Sequence, residues 1–421
     1  MMTEPDYEVL IVGGGMVGAA IATALGSQGI KVAVFDRVKP EPLAADNLPD
    51  LRVSALSYAS EQILRQLGAW TSMSQMRMTP YCRMAVWEKL SHPWGKELAT
   101  RANRVLFDST EIGQEQLGYI VENRVTQLGL LEAMSRHGGV NLICPASINR
   151  FDLTGDKPQV ELSDGRRFTG HLLIGTDGAQ SRVRQIAGLG VEQRDYEQQC
   201  LVATVEIDGG RQDMTWQAFT PTGPEAFLPL PDIQGRSYAS IVWYNAPEQI
   251  RYLLGLPEQA FIDELRNTFP VELPEIIALH ERGFFPLARR HAIHYCRPGV
   301  VLAGDAAHTI NPLAGLGVNL GFQDAAWLAE ILVDAHRNGE PLGDPEVLGR
   351  YEKVRRPDNA AMMAVMDGFY HAFSNDNRPA QILRNIGLGV AGRLTPAVNQ
   401  VMKYAMGLSG CQPKLARGEA L

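Results

Sequence analysis

The stretch EVLIVGGGMVGAAIATALGSQGIKVAVFD, residues 8–36, leaves few folds open. It begins with a short apolar run closed by glycines, the pattern of a buried strand and turn. MVGAAIATALGSQG then keeps helical apolar spacing and stops at Gly29. KVAVFD returns to a strand of β-branched and apolar residues. Two strands joined through a helix pair in parallel, so the chain starts with a βαβ unit. Its turn reads Gly13-x-Gly15-x-x-Gly18, with Val17 before the last glycine. Gly13 permits the tight turn, Gly15 lets a pyrophosphate approach the backbone, and Gly18 lets the helix pack on the strand. The helix N-terminus attracts phosphate charge. Asp36 closes the second strand about twenty residues on, where an acid holds a ribose hydroxyl. The unit predicts a bound dinucleotide; the motif alone does not separate FAD from NAD.

A chain of 421 residues has room for two or three domains. VELSDGRRF, from residue 160, carries an Asp-Gly hairpin turn. HLLIGTDGAQSRVR, from 171, runs from a buried strand into a polar loop. LVATVEI, MTWQAF, AFLPL and SYASIVWY, between 201 and 244, are β-rich runs broken by Pro, Gly and Asp. They predict the antiparallel sheet of a second domain. EQAFIDELRNTF after Pro257 reads as a helix, GVVLAGD at 299–305 as a buried strand, and GFQDAAWLAEILVDAHRNG as a helix ending near Gly339. From about 360 the pattern changes. Met362, Val365, Met366, Phe369 and Phe373 keep helical spacing, and the tail beyond carries Arg378, Arg384, Arg393, Lys403, Lys414 and Arg417 against Glu419.

Composition excludes several classes. Basic residues number 39 against 47 acidic ones, a net charge of −8, which argues against nucleic acid as a partner. The five cysteines form no CxxC pair and read as reduced thiols. The nine histidines form no HxxxH, so metal-ligand spacing is missing. Glu4, Asp6 and Glu8 precede the first apolar run, where a secretory signal would be basic. No clean apolar run approaches the roughly 18 residues that span a bilayer. A cytoplasmic protein is expected, soluble or peripheral on the inner membrane.

Two more stretches carry chemistry. TDGAQSRVR holds Asp177, Gly178, Ser181 and Arg184 after a buried strand; a plain turn is the alternative. GDAAHTINPLAGLGVNLGFQDA, 304–325, places Asp305 at the C-terminal edge of a strand, where α/β sheets bind ligands. An acid there can hold a sugar-like hydroxyl. Pro312, Gly315 and Gly317 keep the next turn narrow, and the helix after Asn319 points its N-terminus back, favouring negative charge. His308 reads as a structural or capping histidine rather than a general base.

These three motifs together resemble the FAD-dependent aromatic hydroxylases, and the resemblance runs over essentially the whole chain. GDAAHxxxPLAGxGxNLG is similar to the last motif of the ubiquinone-biosynthesis hydroxylases. IVENRVTQ, WQAFTPTGPEAFLPL, SIVWY, FPLARRHA and MDGFYHAFSNDNRPAQILRNIGLG resemble their demethoxyubiquinol-hydroxylase branch. The resemblance implies an α/β fold with a Rossmann-like FAD-binding domain (1–75, 104–185 and 285–358). It adds an antiparallel substrate domain (76–103 and 186–284) and a C-terminal helical region (359–421). Gly13, Gly15, Val17, Gly18 and Asp36 would hold the ADP half of FAD. Arg52, with Asn123 or Arg124 opening a helix, would lie near the flavin. Asp177 would brace the site, and Asp305 would bind the ribityl chain or pyrophosphate. Amides of Gly317, Val318 and Asn319 would line the pyrimidine edge, where reduced flavin is negative. Related loops carry Gln where this one has Leu316.

The implied reaction is hydroxylation of a polyprenyl quinol ring by a flavin hydroperoxide formed from O2, with NAD(P)H or another donor as reductant. The cofactor carries the hard chemistry, so no acid–base dyad is required. Trp216, Phe219, Phe227 and Trp243, with Pro312, are expected to roof the apolar substrate; sheet core is the alternative for the four aromatics. The basic tail suits an anionic membrane surface, partner subunits of ubiquinone biosynthesis or a homo-oligomer; packing on its own body is the alternative. A halogenase or reductase of the same superfamily is a competing reading, although the halogenase WxWxIP is missing. A non-catalytic flavoprotein of a biosynthetic complex is another.

Overall fold

The computed structural model describes residues 6–89, 104–155, 157–210, 212–310, 317–374, 384–385, 406–407 and 410–421. The chain opens with β1 (Val9–Val12), α1 (Met16–Ser27) and β2 (Val32–Phe35), the expected βαβ unit. Then come β3 (Val53–Ser57), α2 (Tyr58–Gln66), α3 (Trp70–Met76), β4 (Thr79–Tyr81), β5 (Arg83–Glu88) and β6 (Val105–Asp108). β7 (Gly118–Glu122) leads into α4 (Asn123–Ser135) and β8 (Val140–Ile143). The strands β9 (Ile148–Asp152), β10 (Gln159–Leu162) and β11 (Arg167–Thr169) form a small sheet around the Asp-Gly turn, where Gly165 has φ +87. β12 (Leu172–Gly175) and α5 (Arg182–Ile186) close this half.

The second half contains β13 (Val191–Ile207), β14 (Met214–Thr220), β15 (Gly223–Pro229) and β16 (Ser237–Asn245). α6 (Pro247–Gly255) and α7 (Glu258–Thr268) precede the long β17 (Ile276–Ala292). β18 (Cys296–Arg297), β19 (Val300–Leu302) and β20 (His308–Thr309) return to the first half. Two helices follow, α8 (Gly317–Arg337) and α9 (Pro345–Phe373).

The first sheet runs β18-β19-β12-β1-β2-β8 and is parallel except for β18. Every residue of β1, β2 and β12 is buried, as parallel strands covered on both faces must be. α1 and α8 pack together beside it. The second sheet runs β20-β17-β13-β16-β15-β14-β5-β6, antiparallel except for the β14–β5 pair. A short sheet, β3-β7-β4, lies between the two.

Strand alternation divides the second sheet into two faces. Trp87, Trp216, Phe227 and Trp243 point outward and pack under α6 and α7 against Ile250, Phe261 and Leu265. The expectation that Trp216, Phe227 and Trp243 roof a substrate is therefore corrected: they are sheet core. Two amphipathic helices need an apolar surface, and large aromatics of the outer face supply it. Phe219 has the opposite parity. It faces inward and stacks on Phe373 of α9 at 4.3 Å between ring centroids.

α9 runs unbroken across residue 359, where the sequence pattern placed a boundary. Pro357 lies inside it and removes one helical hydrogen bond. Arg355 and Asn359 flank that proline and are anchored by buried hydrogen bonds to Asp324, which hold the helix through the gap. The described parts of the tail pack on the body. Leu415 and Ala416 join the main core, and the Lys414 amide donates to Glu330 at 2.7 Å. Arg384 pairs with the buried Glu88 at 2.6 Å. Arg378, Arg393 and Lys403, like Pro312, Gly315 and Leu316, lie outside the described residues.

Candidate functional site

The glycine turn sits where β1 meets α1. Gly13 has φ +104, and a Cβ there would stand 2.4 Å from the Thr176 carbonyl oxygen of the Asp-Gly loop. A Cβ on Gly18 would stand 1.9 Å from the Gly13 oxygen. Around Gly15 nothing lies within 4 Å of an added Cβ. Two glycines thus serve packing, and the third opens onto free space. No side chain caps α1, so its first amides face that space unpaired. Open backbone at an uncapped helix N-terminus fits a pyrophosphate.

Asp36 stands at the end of β2. Its carboxylate accepts from the Gly14 amide at 2.6 Å and the Val38 amide at 3.2 Å. It therefore braces the turn. Gln127, one helical turn after Asn123, donates to the Gly14 oxygen at 2.8 Å. Sequence reasoning missed this contact, although an amide four residues beyond a helix start is the available signal. Val17 has a different task from its neighbours. It fills the gap between Gly304 and Gly321, where added Cβ atoms would come within 3.1 and 2.7 Å of its side chain.

The Asp-Gly loop is a brace. Asp177 accepts from the Ser181 hydroxyl at 2.5 Å and from the Arg182 and Val183 amides at 2.7 and 3.2 Å, which caps α5. The buried Arg184 donates to Ala306 at 2.7 Å and to Ala179 at 2.9 Å, both backbone oxygens. One guanidinium thus fastens the Asp-Gly loop to the Gly304–Asp305 turn.

Asp305 follows β19 in that turn. Its carboxylate accepts no hydrogen bond among the described residues, and solvent reaches it on a floor surrounded by protein. Burial by those surroundings pushes its carboxyl up, while the charges of His308, Arg52 and Arg290 pull the other way. An acid with open lone pairs at a strand end suits the hydroxyls of a cofactor chain. Arg52 is exposed beside it, and its backbone oxygen receives the Asn123 amide at 3.0 Å.

Asn123 and Arg124 are engaged locally. The Asn123 oxygen accepts from the Ser54 hydroxyl at 2.7 Å, and Arg124 grips Asp50 through two hydrogen bonds of 2.7 and 2.9 Å. Both hold the segment that presents Arg52. Asn319 is likewise tied inward. It accepts from the Ser57 amide and the Ser60 hydroxyl and donates to the Ala55 oxygen. Its side chain fixes the start of α8 to β3 and α2, which leaves the backbone of Gly317, Val318 and Asn319 for a ligand.

Beneath the site lies a buried polar network that the sequence reading did not find. Asp324 accepts from the Gly304 amide at 3.0 Å, His308 at 2.5 Å, Arg355 at 2.8 Å and Asn359 at 3.1 Å. Burial alone would push this carboxyl up. The His308 and Arg355 charges and hydrogen bonds prevail and hold it well below the usual carboxylate range. Asn359 continues to Tyr295, and Tyr295 to His291, whose imidazole burial pushes down to about 4. His308 is the structural histidine expected. The available signal was an acid among Gly321, Phe322, Ala325 and Leu328 on the apolar face of α8.

Between the second sheet and α9 is a packed apolar cluster. Val202, Phe219 and Leu287 face Met362, Met366 and Phe373 of α9, with Leu51 and Leu320 at its edge. Leu51 and Leu320 directly adjoin Arg52 and Asn319 in sequence, so the cluster packs against the segments that carry those two residues.

Comparison with known proteins agrees with this geometry. Residues 6–366 match the family described as FAD binding domain. The chain is 43% identical to the 3-demethoxyubiquinol 3-hydroxylase of Escherichia coli, over 97% of this chain and all of that protein. It is 35% identical to the ubiquinone hydroxylase UbiL of Rhodospirillum rubrum, over 98% of this chain and 93% of the relative. Among solved structures it resembles p-nitrophenol 4-monooxygenase PnpA of Pseudomonas putida, with TM-score 0.77 at 19% identity, covering 96% and 99% of the two chains. That last likeness shows the fold.

Proposed function

Because the chain belongs to the FAD binding domain family and is a flavin-dependent hydroxylase, we propose that it hydroxylates the ring of a polyprenylated ubiquinone precursor of the demethoxyubiquinol type. One observation carries the reading: Val17 packs the open Gly15 turn against the Gly304–Asp305 turn, and Asp305 accepts no hydrogen bond among the described residues. Bound FAD supplies the redox and oxygen chemistry, drawing on NAD(P)H or another donor and on O2. The chain's residues bind, orient and dry. Gly13, Gly15, Gly18 and Asp36 take the ADP half, and Asp305 takes the ribityl chain or pyrophosphate. Backbone amides at Gly317, Val318 and Asn319 face the pyrimidine edge, where a helix N-terminus favours the negative charge of the reduced ring. Arg52 adds positive charge beside them. Met362, Met366, Phe373 and Val202 exclude water around an electron-rich ring.

The test is anaerobic reduction with NADPH, then O2 and a short-chain demethoxyubiquinol, read by mass spectrometry. One added oxygen is expected. Bound FAD without substrate-dependent O2 uptake would overturn the reading in favour of a non-catalytic flavoprotein.

A polyprenyl tail resides in the bilayer, so the enzyme works at a membrane surface beside other ubiquinone-biosynthesis proteins. No helix among the described residues is long and apolar enough to cross a membrane. Deleting residues beyond 360 would cut α9 through its buried face, so flotation on anionic liposomes is better tested with Arg378, Arg393 and Lys403 changed to Glu. Unchanged flotation would sink a role for these cations.

A further inference from the structure

We propose that residues 406–407 and 414–418 act as a strap that sets the position of the flavin-facing turn of α8, an inference that rests on the placement of the cofactor's pyrimidine edge proposed above. α2 and α8 meet at their first turns. The amide of Ser57, the residue before α2, and the Ser60 hydroxyl donate to Asn319 Oδ1 at 3.0 and 2.7 Å. A shift in the first turn of α2 is therefore passed to Asn319 and the start of α8.

The strap grips that first turn from outside. A helix leaves its first amides without internal acceptors. The Met406 oxygen supplies one, accepting from the Ala59 amide at 3.1 Å. Gly407 follows with φ +70 between the two helices: a Cβ there would stand 2.6 Å from Ala59 Cβ and 3.6 Å from Gln323 Nε2 of α8. Further on, the short turn Lys414–Arg417 lies on both helices. Leu415 and Ala416 enter the main core. The Lys414 amide and ammonium reach Glu330 and Asp334 of α8 at 2.7 and 3.8 Å. Gln66, the last residue of α2, donates to the Gly418 oxygen at 2.7 Å. The strap thus holds α2 at both ends. Met406 also shares a buried cluster with Leu230, Ile233 and Tyr238, which ties the second sheet to the same turn. Coupling of this kind is reciprocal. A strap that seats the amides of α8 against flavin must itself be held more firmly when flavin binds.

The test uses the full chain with Gly407→Ala, whose methyl pushes the Met406 oxygen away from Ala59. FAD affinity is read by equilibrium dialysis and the flavin midpoint potential by dye equilibration. One lost helix cap is worth about fivefold, so FAD is expected to bind this variant about fivefold more weakly. The potential should fall as well, because amides withdrawn from the pyrimidine edge stabilise the reduced anion less. Ala59→Gly added to Gly407→Ala removes the opposing methyl and should restore part of both. Ile262→Val, in a buried cluster separate from α2 and α8, lowers stability and should change neither. In the wild-type chain, hydrogen exchange of the Ala59 and Lys414 amides should slow on addition of FAD more than that of the buried amides of α7. Should Gly407→Ala fail to fold, Gln66→Met, which removes the hydrogen bond to Gly418, gives the same comparison. Wild-type affinity and potential in the strap variants, or an equal loss in Ile262→Val, overturn the strap alone. Asn319→Ala with unchanged affinity and potential overturns the placement of the flavin edge, and this inference with it.

Discussion

Replacing Asp324 by Asn tests whether the buried network holds the cofactor floor. The change keeps size and one carbonyl acceptor but removes the charge that four donors share. Arg355 is left 3% exposed without its main partner. Breaking a buried ion pair by removing one member costs about 3–5 kcal/mol. Arg355 keeps Asp358 at 3.3 Å, but that carboxylate is largely exposed and an exposed pair is worth about 0–1 kcal/mol. Asn359 also continues to accept from the guanidinium. These remnants place the expected loss near the lower end, about 3 kcal/mol. At about 2.1 cal/mol/K of unfolding entropy per residue, 421 residues give about 0.9 kcal/mol/K, so the thermal midpoint falls by about 3–4 °C. With the one remaining oxygen turned to Arg355, the amide nitrogen takes the place of the oxygen that the Gly304 amide and His308 share, so flavin should be released in the same step, visible as fluorescence during a thermal ramp. Asp358→Asn is the control and should shift stability by less than about 0.5 kcal/mol. An Asp324→Asn protein that unfolds and releases flavin at the wild-type temperature would refute the reasoning.

Two further outcomes follow from single positions. Gly18→Ala forces a methyl into the Gly13 oxygen at 1.9 Å. Backbone cannot yield as a flexible side chain does, so α1 must move and FAD affinity should drop at least tenfold by equilibrium dialysis, whereas Gly138→Ala, with open space around it, should leave it unchanged. Glu225 is buried, and burial pushes its carboxyl from 4.5 up to about 7 despite Lys89. The unfolded carboxyl ionises above 4.5 while the folded one stays protonated until about 7, so this group's contribution to stability is lost as pH rises through that window. Glu225→Gln should therefore gain stability relative to wild type at pH 8 compared with pH 5, by about 1–3 kcal/mol in urea titrations; an equal difference at both pH values would contradict it.

What could be read in advance followed the range of the forces involved. The βαβ unit, the Asp-Gly loop and the strand before Asp305 were legible because each is written in contiguous residues. Periodicity names the element, and glycines mark where backbone must approach backbone. Parity along β14 was equally legible, since Trp216 and Phe219 differ by an odd number of positions. Which face lay toward α9 was not, because it depends on α6 and α7 packing over Trp216 and Phe227 rather than on β14 itself. The Asp324 network was hidden for a related reason. Its donors come from residues 304, 308, 355 and 359, and only the folded crossing of α8, α9 and the Gly304 turn brings them to one carboxylate. The same crossing explains α9. A proline in mid-helix reads as a stop, yet Arg355 and Asn359 are clamped on either side of it by an acid thirty residues away in sequence. Local signals therefore locate the glycine turn, and long-range polar contacts decide how firmly its surroundings are held. Asp305 can present open lone pairs because Arg184, Val17 and Asp324 carry the structural work around it.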